Sequence, residues 1–251
     1  MLKKTFNYLI KIEYDGTNFI GWQIQKKGRS VQGQIEKVLK KIFKTKIRII
    51  GAGRTDKGVH AFEQCASFKT DKEIKNKIQF LDSSNYFLRE DSISILDVQK
   101  KDKTFNSRFS AKERTYEYRI INRRGYPALN KHKAWHIKKK LDLQLLKKGV
   151  KLLKGTHNFS TFRAASCSAF SPIKKINLAQ VKINGESITI IFKSRSFLQN
   201  QVRSMVGSLI YLSSDKWTLR FFKKVFKSKK RELCAPPAPA HGLFLKKIKY
   251  K

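Results

Sequence analysis

The segment 51–60, which reads GAGRTDKGVH, holds the residues whose types and spacing best suit chemistry. Three glycines in it follow a predicted strand, so the backbone must turn sharply here or be approached closely by another group. A single carboxylate, Asp56, stands among them between Arg54 and Lys57. A carboxylate presented in this way can act as a nucleophile. It can also simply bond its own backbone in an Asx turn, and the segment alone does not separate the two.

Nucleotide-binding loops do not explain this segment. A P-loop needs a glycine where Asp56 stands and a serine or threonine directly after a Gly-Lys pair, whereas here Lys57 precedes Gly58. The dinucleotide-binding pattern GxGxxG is absent as well. The acidic side chain is therefore the feature that needs a function.

The composition indicates a polyanionic partner. Lysine and arginine total 56 against 18 aspartate and glutamate residues, which gives a formal net charge of +38 over 251 residues. Nucleic acid suits such a charge because each neutralised phosphate releases a counterion. Composition alone fits an RNA-modifying enzyme or a ribosomal protein. It also fits a general drift of surface positions toward lysine.

The cysteines and the hydropathy of the chain favour the cytoplasm. Cys65, Cys167 and Cys234 are odd in number and widely spaced, which argues against a disulfide framework or a zinc ribbon. No apolar run approaches the roughly 18 residues that a membrane span requires. Strand-like alternation begins soon after Met1 and leaves no room for a signal peptide. We therefore expect a cytoplasmic protein.

The first half of the chain predicts the order β-α-β-β-α-β from its hydrophobic periods and turn signals. Ser30 offers an N-cap for the first helix, in which apolar residues recur at helical spacing from Val31 to Phe43. The predicted elements are a strand over 8–14, that helix, strands over 46–50 and 62–68, a helix over 73–81 and a strand over 92–98.

The second half reads in nearly the same order, although no sequence similarity between the halves accompanies it. Its predicted elements are a strand over 114–122, a helix over 142–154, a hairpin of 178–183 and 187–193 joined through Asn184-Gly185, a helix over about 198–212 and a strand over 243–248.

Two such halves predict an α+β fold in which two ferredoxin-like (RNP-like) β-α-β-β-α-β units pack around a central, mainly antiparallel sheet. A groove between them would form an RNA-binding cleft. We place the boundary near Thr104. Residues 1–104 would carry the Asp56 loop, and residues 105–251 would complete the cleft.

Seven blocks of the chain resemble the tRNA pseudouridine synthase A family in the family's order. GRTDKGVHA matches the family signature GRTDxGVHA in full. The other blocks are IEYDGTNFIGWQIQ, SVQGQIEKVL, FNSRFSAKERTYEYRI, NFSTFRA, FLQNQVRSMVGSL and APPAPAHGLFLKKIKY. Two places depart from the family: Gln201 stands where a methionine is usual, and residues 86–91 lack a proline usual near their aspartate.

The resemblance implies an enzyme that isomerises uridine to pseudouridine in the anticodon stem-loop of tRNA, at positions 38, 39 and/or 40. Asp56 would be the nucleophile, and the target base would be flipped out of its stack. No cofactor is expected, because the reaction is an isomerisation. The resemblance also implies tRNA as the partner and a homodimer.

The resemblance assigns roles to four further residues. Tyr116 would stack on the target uracil and help to move its C5 proton, unless the ring is simply part of the core. Arg203 would pair with Asp56 and keep it ionised, although an exposed arginine there would contribute little. Arg54 would enter the RNA and stabilise the flipped state, or only contact a phosphate. Lys57 would bind the substrate.

Other functions fit the sequence less well. His132 and His136 have the i, i+4 spacing of a helical metal site, but no third ligand is evident nearby, so no metal is expected. A different RNA-modifying enzyme, such as a methyltransferase, would need a glycine-rich cofactor loop that the sequence does not show. A non-catalytic RNA-binding protein or a tRNA folding chaperone would explain the charge but not the complete GRTDKGVHA string.

Overall fold

The computed structural model describes residues 5–250 and divides them into two compact units. The first unit comprises the residues up to Lys112 together with those from Leu245 onward, and the second is Glu113–Phe244. The fold is α+β with mainly antiparallel strand pairs, as the sequence predicts. The proposed domains 1–104 and 105–251 stay a prediction.

The first unit follows the predicted β-α-β-β-α-β order. Its elements are β1 (Phe6–Tyr14), α1 (Val31–Phe43), β2 (Ile49–Gly51), β3 (His60–Thr70), α2 (Lys77–Leu88) and β4 (Ile93–Lys101). Strand β1 lies between β3 and β4 and is antiparallel to both. The short strand β2 pairs antiparallel with β3. The strand that leads into the Asp56 loop is thus β2, and the strand that leaves it is β3.

Local sequence fixes helix α1 where it was predicted. The Ser30 side chain accepts a hydrogen bond from the Gly33 amide at 3.1 Å, which satisfies one of the free N–H groups of the first turn. The buried residues of this helix recur at helical spacing: Val31, Ile35, Val38, Leu39 and Phe43. This apolar face packs toward the sheet of the first unit.

Helix α2 lies further along the chain than predicted. It was expected over 73–81 and is found at Lys77–Leu88. Asn76 provides the N-cap, since its side chain accepts a hydrogen bond from the Gln79 amide at 3.0 Å. The helix extends to Leu88, which is fully buried in the core. The local sequence does not reveal this burial.

The second unit contains more elements than predicted. They are β5 (Glu113–Asn122), β6 (Trp135–Ile137), α3 (Leu143–Leu152), β7 (Gly155–Asn158), β8 (Ile173–Asn184), β9 (Ser187–Ser194), α4 (Gln201–Ser213) and α5 (Leu219–Ser228). The strands run in the order β5-β9-β8-β7 with antiparallel pairing, and β6 lies parallel to β5. The last strand, β10 (Leu243–Lys249), returns the chain to the first unit, where it lies beside β3.

Three elements of the second unit were missed. Strands β6 and β7 are too short to show a period of two. Helix α5 buries Phe222 and Val225 and carries basic residues elsewhere, a clear helical period that was overlooked in a segment of only ten residues. The predicted hairpin is present: Asn184 pairs with Ser187, and Gly185 adopts φ +54° in the turn.

Each unit has an aromatic centre to its core. In the first, Phe43 of α1, Phe68 of β3 and Phe80 of α2 have ring centroids 5.9 to 6.5 Å apart. In the second, the corresponding cluster is formed by Phe159, Phe162 and Phe226. The first cluster packs α1 and α2 against β3, and the second packs α5 against the turn that follows β7.

No helix within residues 5–250 has the length and apolar character needed to cross a lipid bilayer.

Candidate active site

Asp56 lies in the segment 52–59 that connects β2 to β3. Because these strands are antiparallel partners, the segment is the closing loop of a hairpin. The strand pairing continues into it, since the Ala52 amide donates to the Cys65 carbonyl at 2.8 Å. The buried Gln64 side chain then donates to the Gly53 carbonyl, also at 2.8 Å. The loop is therefore anchored to β3 on its entry side.

The carboxylate of Asp56 stands at the start of a tight turn. The Asp56 carbonyl accepts a hydrogen bond from the Val59 amide at 3.1 Å, and Gly58 between them has φ +77°. A positive φ at this position is required in a type II turn and is easily adopted only by glycine. Asp56 is half-buried, whereas Arg54 and Lys57 are exposed. The loop thus shelters the acid partly and directs both predicted substrate-binding cations to solvent.

The segment 14–22 holds the Asp56 loop from its other side. The Trp22 amide donates to the Thr55 carbonyl at 3.1 Å, and Gly21 forms an antiparallel bridge with Asp56. A Cβ atom at Gly21 would lie 2.6 Å from the Thr55 carbonyl oxygen, and Gly21 has φ +119°. Only glycine allows this approach without strain.

Two further contacts hold the loop 52–59 against the segment 14–22, and we call this set of contacts the clamp. The hydroxyl of Tyr14 and the hydroxyl of Thr55 form a buried hydrogen bond of 2.8 Å. Gly16 approaches the end of the loop so closely that a Cβ atom there would lie 2.0 Å from the Val59 carbonyl oxygen. Both backbone and side chain therefore fix Thr55, the residue before Asp56.

His60 ties the Asp15-Gly16 turn to the start of β3. Its Nδ1 atom lies 2.9 Å from the Asp15 carboxylate and 3.0 Å from the Gly16 amide nitrogen. One nitrogen cannot donate to Asp15 and accept from Gly16 at the same time, so the tautomer decides which bond forms. In either case the buried ring serves to position the clamp.

Tyr116 lies on β5 in the second unit. Its side chain is only 8% exposed, and its ring meets that of Phe197 edge to face, with centroids 5.3 Å apart and planes at 87°. Phe197 belongs to the connection between β9 and α4. Tyr116 is therefore largely buried and packs against a defined aromatic neighbour.

Tyr118, which alternation places on the same face of β5 as Tyr116, belongs to the core. It is fully buried, and its hydroxyl donates to the Pro239 carbonyl at 2.7 Å. Burial raises the pKa of Tyr118 well above its usual value, and the positive charge of Arg203 partly opposes this effect. Tyr118 is a scaffold residue that lies within electrostatic reach of Arg203.

Arg203 projects from the first turn of α4 and is fixed by two hydrogen bonds. Its Nε donates to the Ala238 carbonyl at 2.8 Å, and its Nη1 donates to the Asn200 side-chain oxygen at 3.2 Å. Asn200, the residue before the helix, has φ +60°. The guanidinium is thus oriented by its surroundings, and it is not a mobile surface arginine.

The segment that contains Ala238 packs directly on α4. The Ala238 amide donates to the Arg203 carbonyl at 2.9 Å, so the two residues are joined in both directions. Gly207 allows this contact, since a Cβ atom there would lie 2.0 Å from the Pro236 carbonyl oxygen. The proline-rich segment 235–239 thereby serves as the support of Arg203.

The histidines considered as metal ligands have other surroundings. His132 lies outside any helix with φ +58°, and the Nε2 atom of His136 is 2.9 Å from the Arg123 carbonyl oxygen. Among residues 5–250, no group of three or more histidine, cysteine, aspartate or glutamate side chains is arranged to hold a metal ion.

The sequence indicated Asp56 but not the residues that position it. Tyr14, Gly16 and Gly21 contact the loop across a long sequence separation, which no local pattern reports. The sequence feature that pointed to this segment was the similarity of IEYDGTNFIGWQIQ to a family block, but that similarity assigned no role to any of its residues. Arg203 and Tyr116 were correctly placed on a helix and a strand, while their predicted partnership with Asp56 stays a prediction.

Comparison with known families agrees with these features. The family model described as tRNA pseudouridine synthase matches residues 10–110 and 150–251, which include Asp56 and Arg203, while Tyr116 lies between the matched parts. The chain belongs to this family.

Curated relatives extend the similarity over nearly the whole chain. A tRNA pseudouridine synthase A from Pelagibacter ubique is 56% identical over 245 residues, covering 98% of this chain and 100% of the relative. Proteins of the same name from Afipia carboxidovorans and Caulobacter vibrioides are 42% and 41% identical, each covering 97% of this chain and at least 98% of the relative.

The clamp predicts that Gly21→Ala destabilises the protein. The added methyl group would overlap the Thr55 carbonyl, and the alanine backbone would have to keep an unfavourable positive φ. The free energy of unfolding should therefore fall by about 1–3 kcal/mol. Gly125→Ala is the control, because within residues 5–250 no atom beyond its chain neighbours lies within 4 Å of its Cβ position. Urea unfolding gives both values, and amide exchange at Trp22 should become faster only in the first variant. Equal stability of the two variants would contradict the clamp.

Proposed function

We propose that this protein isomerises uridine to pseudouridine in the anticodon arm of tRNA, at one or more of positions 38, 39 and 40. Membership of the family supports the reaction and the class of substrate. The observation that carries the proposal in this chain is the complete GRTDKGVHA segment, with Asp56 half-buried on a loop clamped from two sides. The homodimer and the cytoplasmic location that the sequence suggested are parts of the same proposal.

The reaction breaks the bond between ribose C1′ and uracil N1 and forms a bond between C1′ and C5. The C5 proton is released, and N1 gains a proton, so no oxidant or cofactor is consumed. A carboxylate suits this reaction because a covalent adduct divides one difficult step into two easier ones. Asp56 takes this role. Attack at C1′, attack at uracil C6 and assistance of a glycal route are all open to it.

Asp56 must be ionised to act in this way, even when the bound base has displaced water. A guanidinium favours the charged form of a carboxylate. Arg203 is the residue we assign to this effect, because its own position is fixed by Ala238 and Asn200 and no reorganisation is needed during the reaction.

Tyr116 is the residue we assign to the target base. A phenol ring held edge-on by Phe197 can offer a flat face for stacking on uracil, and its hydroxyl can accept or relay the C5 proton. Stacking needs only the ring, whereas proton transfer needs the hydroxyl. These two contributions can therefore be separated by experiment.

Access to C1′ requires the nucleotide to leave its stack, at a cost of a few kcal/mol. The exposed Arg54 and Lys57 flank Asp56 on the same loop. We assign Arg54 to the flipped state and Lys57 to the neighbouring phosphates. Because both cations flank Asp56, binding of the RNA phosphates would bring the flipped uridine close to the nucleophile.

The central test compares wild type with Asp56→Asn on unmodified tRNA labelled with tritium at uridine C5. Wild type should release tritium, and the variant should release it more than about a thousandfold more slowly, because the amide cannot form the adduct. The variant should still bind tRNA. Asp71→Asn, an exposed aspartate of the same unit, is the control and should behave as wild type. Tight binding without release by wild type would contradict the enzyme and favour an RNA-binding protein.

Tyr116→Phe tests the role of the hydroxyl. We expect tRNA affinity within about twofold of wild type, because the stacking ring remains. Tritium release at saturating tRNA should fall by about a hundredfold, the usual lower range for loss of a general acid or base. Tyr116→Ala should lower both. If Tyr116→Phe turned over at the wild-type rate, the hydroxyl would have no part in proton transfer.

A further inference from the structure

The loop 106–110, between β4 and β5, presents an aromatic side chain to solvent. Phe109 is 75% exposed, and the guanidinium carbon of Arg108 lies 5.6 Å from its ring centroid. A single exposed apolar residue needs no explanation by itself. What distinguishes Phe109 is how firmly its loop is held and which part of the protein holds it.

Ser107 anchors this loop and is fully buried. Its amide donates to the Ser67 hydroxyl at 3.1 Å, and its carbonyl accepts from the Tyr250 hydroxyl at 3.1 Å. Its own hydroxyl donates to the Ile50 carbonyl. All three functional groups of one residue are therefore bonded to the first unit.

The tip of the loop is also ordered. The Asn106 side-chain oxygen accepts from the amides of Arg108 and Phe109, at 2.9 and 3.3 Å. The Ser110 amide donates to the Asn106 carbonyl at 2.9 Å. Because the backbone is already fixed, contact through Phe109 would cost little conformational entropy.

The loop is anchored at the strand that leads into the Asp56 segment. Ile50, whose carbonyl accepts from Ser107, is the middle residue of β2, and its own side chain is 46% exposed. The same strand continues through Gly51 into the loop that presents Arg54 to solvent. Phe109 and Arg108 thus form an exposed surface on a loop that is bonded to β2, the strand that leads into the Asp56 loop.

We propose that this surface is a second RNA contact, in which a base of the substrate tRNA other than the target uridine stacks on Phe109 while Arg108 binds a neighbouring phosphate. An aromatic face beside a cation is the arrangement with which proteins bind unpaired nucleotides without reading their sequence. The net charge of +38 favours a polyanion over other occupants. The inference rests on the proposed function for the identity of the RNA.

Tyr86 provides a matched control. It is 64% exposed, lies in the same unit, and carries the guanidinium of Arg89 at 5.2 Å from its ring centroid. The pair therefore has the same chemistry as Phe109 and Arg108. It projects from the end of α2, where the adjacent Asn85 side chain is hydrogen-bonded to Ile95 of β4 and not to the strand that leads into the Asp56 loop, so we expect it to play no part in binding.

The test measures equilibrium binding of unmodified tRNA as a function of salt. Phe109→Ala should bind about tenfold more weakly with an unchanged salt slope, because a stacking contact releases no counterion. Arg108→Ala should reduce the slope by about one. Phe109→Trp and Tyr86→Ala should both stay within about twofold of wild type. The tritium release rate of Phe109→Ala at saturating tRNA should equal that of wild type.

Three outcomes would overturn the inference. Wild-type affinity of Phe109→Ala is the first, and an equal loss in Tyr86→Ala is the second. The third is a smaller sedimentation coefficient of free Phe109→Ala, which would make the surface an interface between copies of the chain. The binding assay does not depend on turnover. A wild type that binds tRNA but makes no pseudouridine, with weaker binding by Phe109→Ala, would contradict the proposed function and leave this contact supported.

Discussion

The position of Asp56 depends on close backbone contact between residues 14–22 and the hairpin loop 52–59. Two glycines make this contact possible, since a Cβ atom at Gly16 or Gly21 would overlap a carbonyl group of the loop. A hairpin loop of this length would otherwise sample many conformations, and each ordered residue costs conformational entropy. The contact favours one conformation of the loop, which is what the proposed nucleophile Asp56 needs for rapid attack.

The second unit uses the same device for Arg203. Gly207 lets the 235–239 segment approach α4, and Ala238 then bonds both the backbone and the side chain of Arg203. In each unit, glycine allows two backbone segments to approach closely, and a charged residue of the proposed site lies next to this close approach. Substitutions at these glycines are therefore expected to act on chemistry as well as on stability.

Local features were predictable from sequence, and long-range ones were not. The Ser30 cap, the alternation of β1 and the Asn184-Gly185 turn signal each act within a few residues, and each predicted element is present. The shift of α2 arises from burial of Leu88, and the clamp around Thr55 joins distant segments. Gln201 shows the same limit: where the family usually has a methionine, it places a fully buried amide in the core, and its Nε2 has no hydrogen-bond partner within residues 5–250.

The most direct test of this account is a double-mutant cycle on the hydrogen bond between Tyr14 and Thr55, measured as the rate of pseudouridine formation at saturating tRNA. Tyr14→Phe and Thr55→Val should each slow the reaction by about five- to tenfold, the equivalent of one buried hydrogen bond. The double variant should be no slower than either single variant, because both remove the same bond. Affinity for tRNA should not change. Wild-type rates in both single variants, or effects that multiply, would contradict the claim that this contact positions Asp56.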